Sequence, residues 1–288
     1  MNDTILHETK IHGTPDFPYI VYHGKIPEFL TSFPCHWHEE AELIYIAAGQ
    51  LRITVWSHTY HVYPGDIMIL LPHAIHAIEQ VGTERAEFYN IVFHFSLLGS
   101  DACYEKYVRP FLTHTKTVNC YAASGSGLNT SLTPWVLSLI ENRRSSYTTH
   151  EYLVKASLFM IMHLLNQHCK DASENQLALH LTYDKLKTAL YHIQNSYAQD
   201  ISIKEVSALC GFSESHFRKL FKELTGMSFT AYLIHYRLEL SARQLLETDL
   251  NVIEIAANCG FHNPSYFTRA FAKEYGITPA KYRKTHRH

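Results

Sequence analysis

The chain lacks any apolar run long enough to cross a bilayer. Its densest stretch, Ile67 to Leu71, falls far short of the roughly 20 residues that a spanning helix needs. The opening residues, Met1-Asn2-Asp3-Thr4, combine neither a basic start nor an apolar core, so no secretory leader is expected. Cysteine is sparse: six residues, at 35, 103, 120, 169, 210 and 259, form no CxxC pair and no dense framework. That excludes a disulfide scaffold and fits a reduced cytoplasm. Net charge is small as well, with 25 Lys+Arg against 27 Asp+Glu. What remains is a chain of 288 residues, long enough for two domains that each bury a core.

What is present, in the last third, is a pattern written twice. Ile203-Lys204-Glu205-Val206-Ser207-Ala208-Leu209-Cys210-Gly211-Phe212 reads onto Val252-Ile253-Glu254-Ile255-Ala256-Ala257-Asn258-Cys259-Gly260-Phe261. One residue further on, Phe217, Phe221, Gly226 and Tyr232 fall onto Phe267, Phe271, Gly276 and Tyr282. A pattern kept through two copies is one supersecondary unit used twice. Each copy predicts a helix, a tight glycine turn and a second helix, over residues 203–225 and 252–275. This is the layout that places a second helix in the DNA major groove.

In the first copy, Ser202 with Glu205 three residues on predicts a capped helix start, with Ile203, Val206 and Leu209 facing inward. Ser213 is expected to cap the second helix and Gly226 to end it. Phe217, Leu220, Phe221 and Leu224 form its expected buried stripe. Ser215, His216, Arg218, Lys219 and Lys222 are left on the outer face as candidates for phosphates and base edges. In the second copy Asn263 caps, Pro264 occupies the first helical position, and the outer candidates are Asn263, Ser265, Tyr266, Thr268, Arg269 and Lys273. Between the copies, Phe229 to Glu247 contains no Gly or Pro and predicts one helix, roughly 28 Å long. Such a strut suits two reading helices about one DNA turn apart, on the order of 34 Å. Cys210 and Cys259 read as small buried apolar residues.

The near-neutral total hides an asymmetry. Residues 1–183 carry 11 Lys+Arg and 17 Asp+Glu, whereas residues 184–288 carry 14 and 10. The basic part is the part with the repeat, as neutralising phosphates requires.

The run from Cys259 to Arg283, with its Gly260-Phe261, Asn263-Pro264-Ser265-Tyr266-Phe267, Phe271 and Gly276-Ile277-Thr278-Pro279, resembles the signature segment of the AraC/XylS family of bacterial transcription regulators. The resemblance covers about residues 185–286. It implies that the first reading helix makes most base contacts, although both copies here fit the pattern equally well.

From about Phe17 to Phe95 the signals turn to β. Expected strands are Glu42 onward to a turn at Gly49, Leu51–Trp56, His58–Tyr63, Ile67–Leu71 after the Pro64-Gly65-Asp66 turn, and Phe88–Phe95. Many short strands predict a sandwich or jelly-roll barrel. The spacing His36-x-His38-x3-Glu42-x6-Gly49 resembles the first half of the cupin signature. Pro64-Gly65-Asp66, Pro72 and His76 resemble its second half, with Ala74 where a glycine is usual. In metal-dependent cupins the matching residues hold one divalent ion, and three imidazoles with a carboxylate suit that chemistry. In sensor domains of AraC-type regulators the mouth of the barrel takes a small effector, commonly a sugar. Trp37, Tyr45, Trp56, Tyr89 and His94 could stack on a sugar or hydrogen-bond to it. The candidate effector set is therefore His36, Trp37, His38, Glu42, Tyr45, Trp56, His76 and His94, and no cofactor is expected unless the barrel holds a metal.

Ser124-Gly125-Ser126-Gly127 reads as a flexible stretch, followed by helices over about Thr133–Asn142 and Thr148–Cys169. The second of these has more than one apolar face, which points to packing against a partner chain. The expected organisation is a cupin-like effector and dimerisation domain at 1–170, a polar linker at 171–181, and an all-α DNA-binding domain at 182–288. The expected function is a cytoplasmic, non-enzymatic, homodimeric regulator that binds double-stranded DNA, senses a small molecule and contacts RNA polymerase. Activation is expected by family analogy. The alternatives are a metal-dependent cupin enzyme carrying a DNA-binding tail, and a regulator whose barrel is empty.

Overall fold

The computed structural model describes residues 6–8, 10–27, 32–56, 58–144 and 149–286. The described residues divide into two compact units between Leu181 and Thr182. Met1 to Thr4 and the expected helix start at Thr148 lie outside the described residues.

The first unit is β-rich. Its strands are β1 (Leu6–His7), β2 (Tyr19–Ile26), β3 (Ser32–Trp37), β4 (Ala41–Ala48), β5 (Leu51–Val55), β6 (His58–Val62), β7 (Ile67–Leu70), β8 (His76–Gln80) and β9 (Ala86–Phe93). A 3-10 turn at Phe95–Leu98 leads to α1 (Ala102–Tyr107) and α2 (Arg109–Leu112). The short strands β10 (Lys116–Thr117) and β11 (Tyr121–Ala122) precede α3 (Gly127–Glu141) and α4 (His150–His168), and β12 (Lys170–Asp171) closes the unit. One five-stranded sheet has the order β1-β3-β8-β5-β6, and the other β11-β7-β4-β9-β2. The fold is a cupin-like barrel with a helical pair.

Side-chain alternation shows how the layers are built. On β4 and β7, Ile44, Ile46, Met68 and Leu70 point into the space between the sheets, while Leu43, Ile67 and Ile69 join a second core with α3 and α4. These strands are buried on both faces, so they read as nearly unbroken apolar runs. On β5, Leu51, Ile53 and Val55 point inward. Arg52 and Thr54 alternate with them on the wet face, where Arg52 pairs with Glu79 at 2.6 Å.

Strands β2, β3 and β8 escaped the sequence reading because their inward positions include His, Gly and other non-β residues. β3 also carries Pro34 at a register shift between Phe33 and His36, where a missing N–H does least harm to the ladder. Gly24 on β2 is required by Phe88, whose ring would lie 2.4 Å from an added Cβ.

Two further expectations are corrected. Residues 124–127 are not a flexible stretch. Buried Asp66 accepts hydrogen bonds from Ser124 N (2.8 Å), Tyr63 N (2.8 Å) and the Tyr121 hydroxyl (2.9 Å). Helix α3 already begins at Gly127, because the buried Asn129 side chain donates to Gly65 O and Ala122 O and anchors its first turn. Most of the expected linker at 171–181 lies in α5, which runs from Glu174 to Ser196, and the two units divide within that helix.

The second unit is all-helical. After the C-terminal part of α5 come α6 (Ile203–Leu209), α7 (Glu214–Thr225), α8 (Phe229–Glu247), α9 (Val252–Asn258), α10 (Pro264–Tyr275) and α11 (Pro279–His286). No described helix is long and apolar enough to cross a membrane.

Candidate nucleic-acid interface and barrel site

Helix α6 starts at Ser202, whose Oγ accepts from Glu205 N at 3.1 Å. It ends where Gly211 takes φ +68°, a conformation costly for other residues. Val206, Ser207 and Cys210 are buried, while Leu209 is 51% exposed. The expected inward set therefore loses Leu209, which lies to one side of the face that Val206, Ser207 and the expected Cys210 share. In α7, Ser213 caps His216 N. Phe217 and Phe221 are fully buried, with Phe229 and Tyr232 packed edge-on to Phe221. Leu220 and Leu224 are half-buried flanks of that stripe.

The second unit repeats this with a complete capping box, Asn251 and Glu254 each bonding the other's backbone N–H. Gly260 takes φ +80° and Gly276 φ +75°. Phe267 and Phe271 are fully buried, and Cys259 lies beneath the turn. Burial pushes the thiols of Cys210 and Cys259 up to about 11, which suits inert core residues.

Ser215, His216, Arg218, Lys219 and Lys222 on α7 are exposed, as are Asn263, Ser265, Tyr266, Arg269 and Lys273 in the second unit. Thr268 is half-buried and donates to Pro264 O at 3.0 Å. The Asn263 side chain accepts from Tyr266 N and caps α10. Two acids were left out of the sequence reading: Glu214 lies 3.4 Å from Arg218, and Glu223 lies 3.9 Å from Lys219.

The sequence reading also missed the residues that hold the units in place. Arg237 donates through Nε to Tyr197 O (2.7 Å) and through Nη2 to Gln199 O (2.8 Å). Arg283 donates to Leu245 O (3.0 Å) and Leu250 O (2.6 Å). Each guanidinium clamps the loop leading into one helix-turn-helix. His235 on the strut α8 meets Glu274 of α10 at 3.1 Å. Nothing in spacing marks these three, because their partners are backbone atoms or lie about 40 residues away in the chain.

In the β-rich unit, the structure brings His36, His38, Glu42 and His76 together and separates the rest. The three imidazoles offer ligand atoms within 4.8 Å of one another. Glu42 Oε2 lies 3.0 Å from His76 Nε2 and 3.4 Å from His38 Nε2. Burial works to raise the Glu42 carboxyl, but hydrogen bonds and charge from His38 and His76 hold it well below the usual carboxylate range. Burial also opposes a charged His38, yet the carboxylates of Glu40 and Glu42 hold it up to about 10. Glu8 and His12 belong to this cluster and were missed: Glu8 Oε2 is 3.6 Å from His36 and 3.7 Å from His12. A Glu and a His four apart outside any β pattern gave no signal.

Of the other candidates, Tyr45 lies on the opposite face of β4, packed towards the helical pair. Tyr89 stacks on His23 at 4.6 Å. Trp37 is buried with its ring 6.0 Å from His73. Trp56 sits at a φ +55° turn with its ring against His180. His94 caps the 3-10 turn through Ser96. The strand alternation that buries Tyr45 and Tyr89 outward is the reason these aromatics do not converge.

Comparison with known proteins follows the same division. Residues 206–285 match a helix-turn-helix domain model, and residues 29–102 match the AraC-like ligand binding domain. The chain belongs to the AraC/XylS family of transcription regulators. The regulator is 23% identical to an uncharacterised HTH-type transcriptional regulator, YdeC, of Bacillus subtilis, over 98% of this chain and 97% of that protein. It is 29% identical to the HTH-type transcriptional activator RhaR of Pectobacterium carotovorum, over 88% of this chain and 86% of that protein. Among solved structures, the DNA-binding domain of AdpA in complex with a target DNA shares 26% identity at TM-score 0.33, over 35% of this chain and 89% of that one.

Proposed function

We propose that this regulator binds a specific DNA site through α7 and α10 in successive major grooves, as a homodimer whose β-rich unit receives a small effector. The observation that carries the reading is the pair of helix-turn-helix units within one compact unit. Each has a buried aromatic stripe and an exposed second helix bearing cations, and the 19-residue helix α8 joins them. Arg218 and His216 on α7, with Arg269 and Tyr266 on α10, are the proposed base readers. Lys219, Lys222 and Lys273 are the proposed phosphate contacts, with Ser215, Ser265, Thr268 and Asn263 beside them. The regulator acts in the cytoplasm and as an activator that touches RNA polymerase, in line with relatives named as transcriptional activators.

The dimer reading rests on α4. Val154, Leu158, Ile161 and Leu165 face the barrel core, whereas Tyr152, Ala156, Phe159 and His163 form an exposed stripe at helical spacing. The effector is proposed to be a sugar at the polar end of the barrel, where His36, His38, Glu42 and His76 supply hydrogen-bonding groups. A ligand can shift the regulator only by binding one arrangement of the dimer better than another.

The test is selection of DNA from a random pool by the full-length protein, followed by affinity measurement on the enriched sequence with and without a panel of monosaccharides. A two-part enriched motif with sugar-dependent affinity supports the whole reading. Enrichment without any sugar effect removes the sugar. A pool that stays random overturns sequence-specific binding.

A further inference from the structure

We propose that the helical side of the first unit holds a ligand site separate from the barrel, for a neutral molecule with an aromatic body and a single hydroxyl group. A cavity of about 500 Å3 lies between the 3-10 turn at Phe95–Leu98, α1 and α4. That size falls within the roughly 300–1,000 Å3 of small-molecule sites. Leu98, Val108 and Met162 form its buried wall, each at most 5% exposed. Tyr104, Tyr107 and Phe159 add aromatic surface, and the last two are 44% and 49% exposed. Rings left that open around a cavity gain most from a flat apolar partner.

The rest of the lining is polar and held in place. His163, Asn166 and Gln167 follow one another at three- and four-residue spacing on α4, so they share a face. Asn166 Nδ2 donates to Tyr107 O (3.0 Å) and Met162 O (2.8 Å), which ties α4 to the end of α1 and leaves Oδ1 to accept. Gln167 Nε2 lies 3.1 Å from His163 Nε2. An amide nitrogen only donates, so that ring nitrogen accepts, His163 Nδ1 carries the proton, and Gln167 Oε1 is left to accept. Among the described residues, no Asp, Glu, Lys or Arg lines the cavity. Lys106, over the Tyr107 ring at 5.0 Å, stands outside the lining. A formal charge on the ligand would lose its water without gaining a partner, which disfavours carboxylates, phosphates and amines. A sugar would bring more hydroxyls than these few groups can satisfy, whereas one hydroxyl matches them. The cavity shares Phe159 and His163 with the α4 stripe proposed as the dimer face, so a second copy of the chain is the rival occupant.

The experiment titrates the full-length chain by calorimetry with para-propylphenol, its methyl ether and para-propylbenzoate. The expected result is one saturable site for the phenol with Kd below about 1 mM. The ether and the acid should bind at least roughly tenfold more weakly. Bound phenol should slow the reaction of N-ethylmaleimide with Cys103, an exposed thiol of the lining, and leave Cys35 unaffected, as read by peptide mass spectrometry. Cys103→Trp fills the cavity from an exposed position. It should keep the fold by circular dichroism and weaken uptake at least roughly tenfold, whereas Cys103→Ser should retain it. No uptake by the wild type overturns the site, as does uptake unchanged in Cys103→Trp. Equal or tighter binding of the acid overturns the neutral ligand and points to Lys106. Tyr152 is 79% exposed on the α4 stripe and is not part of the lining. Uptake by Tyr152→Glu but not by the wild type gives the cavity to a second copy and overturns the proposal. The inference goes beyond the proposed function. Its readouts involve neither DNA nor sugar, so a failure of either reading is told apart from a failure of the other.

Discussion

The two helix-turn-helix units share a core and differ at their surfaces. Val206, Cys210, Phe217 and Phe221 have buried counterparts in Ile255, Cys259, Phe267 and Phe271. The turn glycines have nearly equal positive φ, but their surroundings do not match. An added Cβ at Gly211 meets nothing within 4 Å, whereas at Gly260 it would lie 2.8 Å from Tyr197 O and 2.9 Å from Arg237. The second unit is built into the framework more tightly at its turn, with a full capping box and a guanidinium pressed against the glycine. The outer faces diverge as well. Arg218 and Lys219 are each flanked by an acid one turn away. Among the described residues, Arg269 and Lys273 make no ion pair. Duplication kept what packing demands and left the reading faces free to differ.

The largest effect that would sharpen this contrast is at the turns. Gly260→Ala should destabilise the chain by about 2–4 kcal/mol, adding overpacking to backbone strain, against about 1 kcal/mol for Gly211→Ala. Urea unfolding measures both, and equal losses would mean that the two turns are equally free. Next come the reading helices. Arg218→Ala or Arg269→Ala should cost roughly 1–3 kcal/mol of binding and relax specificity at one base position. Release from Glu214 makes the net loss at Arg218 the smaller of the two. Anisotropy on single-base variants of the selected site would show it, and a larger loss at Arg218 would reverse the ranking.

Lys222→Ala and Lys273→Ala should each weaken all sequences alike and reduce the salt slope by about 1. A sequence-dependent loss in a salt titration would move either lysine among the base readers. The smallest effect is expected at Lys187, buried in α5 beside Asp184 and depressed in pKa by that burial. Lys187→Met should change stability by no more than about 1 kcal/mol, because the buried charge gives little net gain and the Asp184 left behind is half-exposed and stays in reach of water. A loss beyond that in thermal unfolding would show the ion pair to be structural.

The tandem units were legible because each of their parts is local. Ser202 and Glu205, Gly211, Phe217 and Phe221, and Asn263 with Pro264 act within one or two helical turns. Spacing alone therefore placed the caps, the turns and the buried stripes, and the strut from Phe229 to Glu247. The barrel was half legible. Strands buried on one or two faces announced themselves through alternation or apolar runs, while β3 and β8 carry the site histidines where apolar residues would have been the signal. His36, His38, Glu42 and His76 are grouped by their resemblance to the cupin signature, and the structure places them together.

Tyr45, Trp56 and His94 did not follow. Which face a strand residue presents, and which neighbour an aromatic ring meets, depends on register and on the second layer of packing. The sequence by itself determined that two DNA-reading units follow a β-rich domain, because capping, turn chemistry and helical periodicity are written into adjacent residues. Only the tertiary structure decided that Arg237 and Arg283 hold those units in place, and that His38 and His76 meet Glu42. Those relations join backbone and side chains tens of residues apart, and only folding brings them within hydrogen-bonding distance.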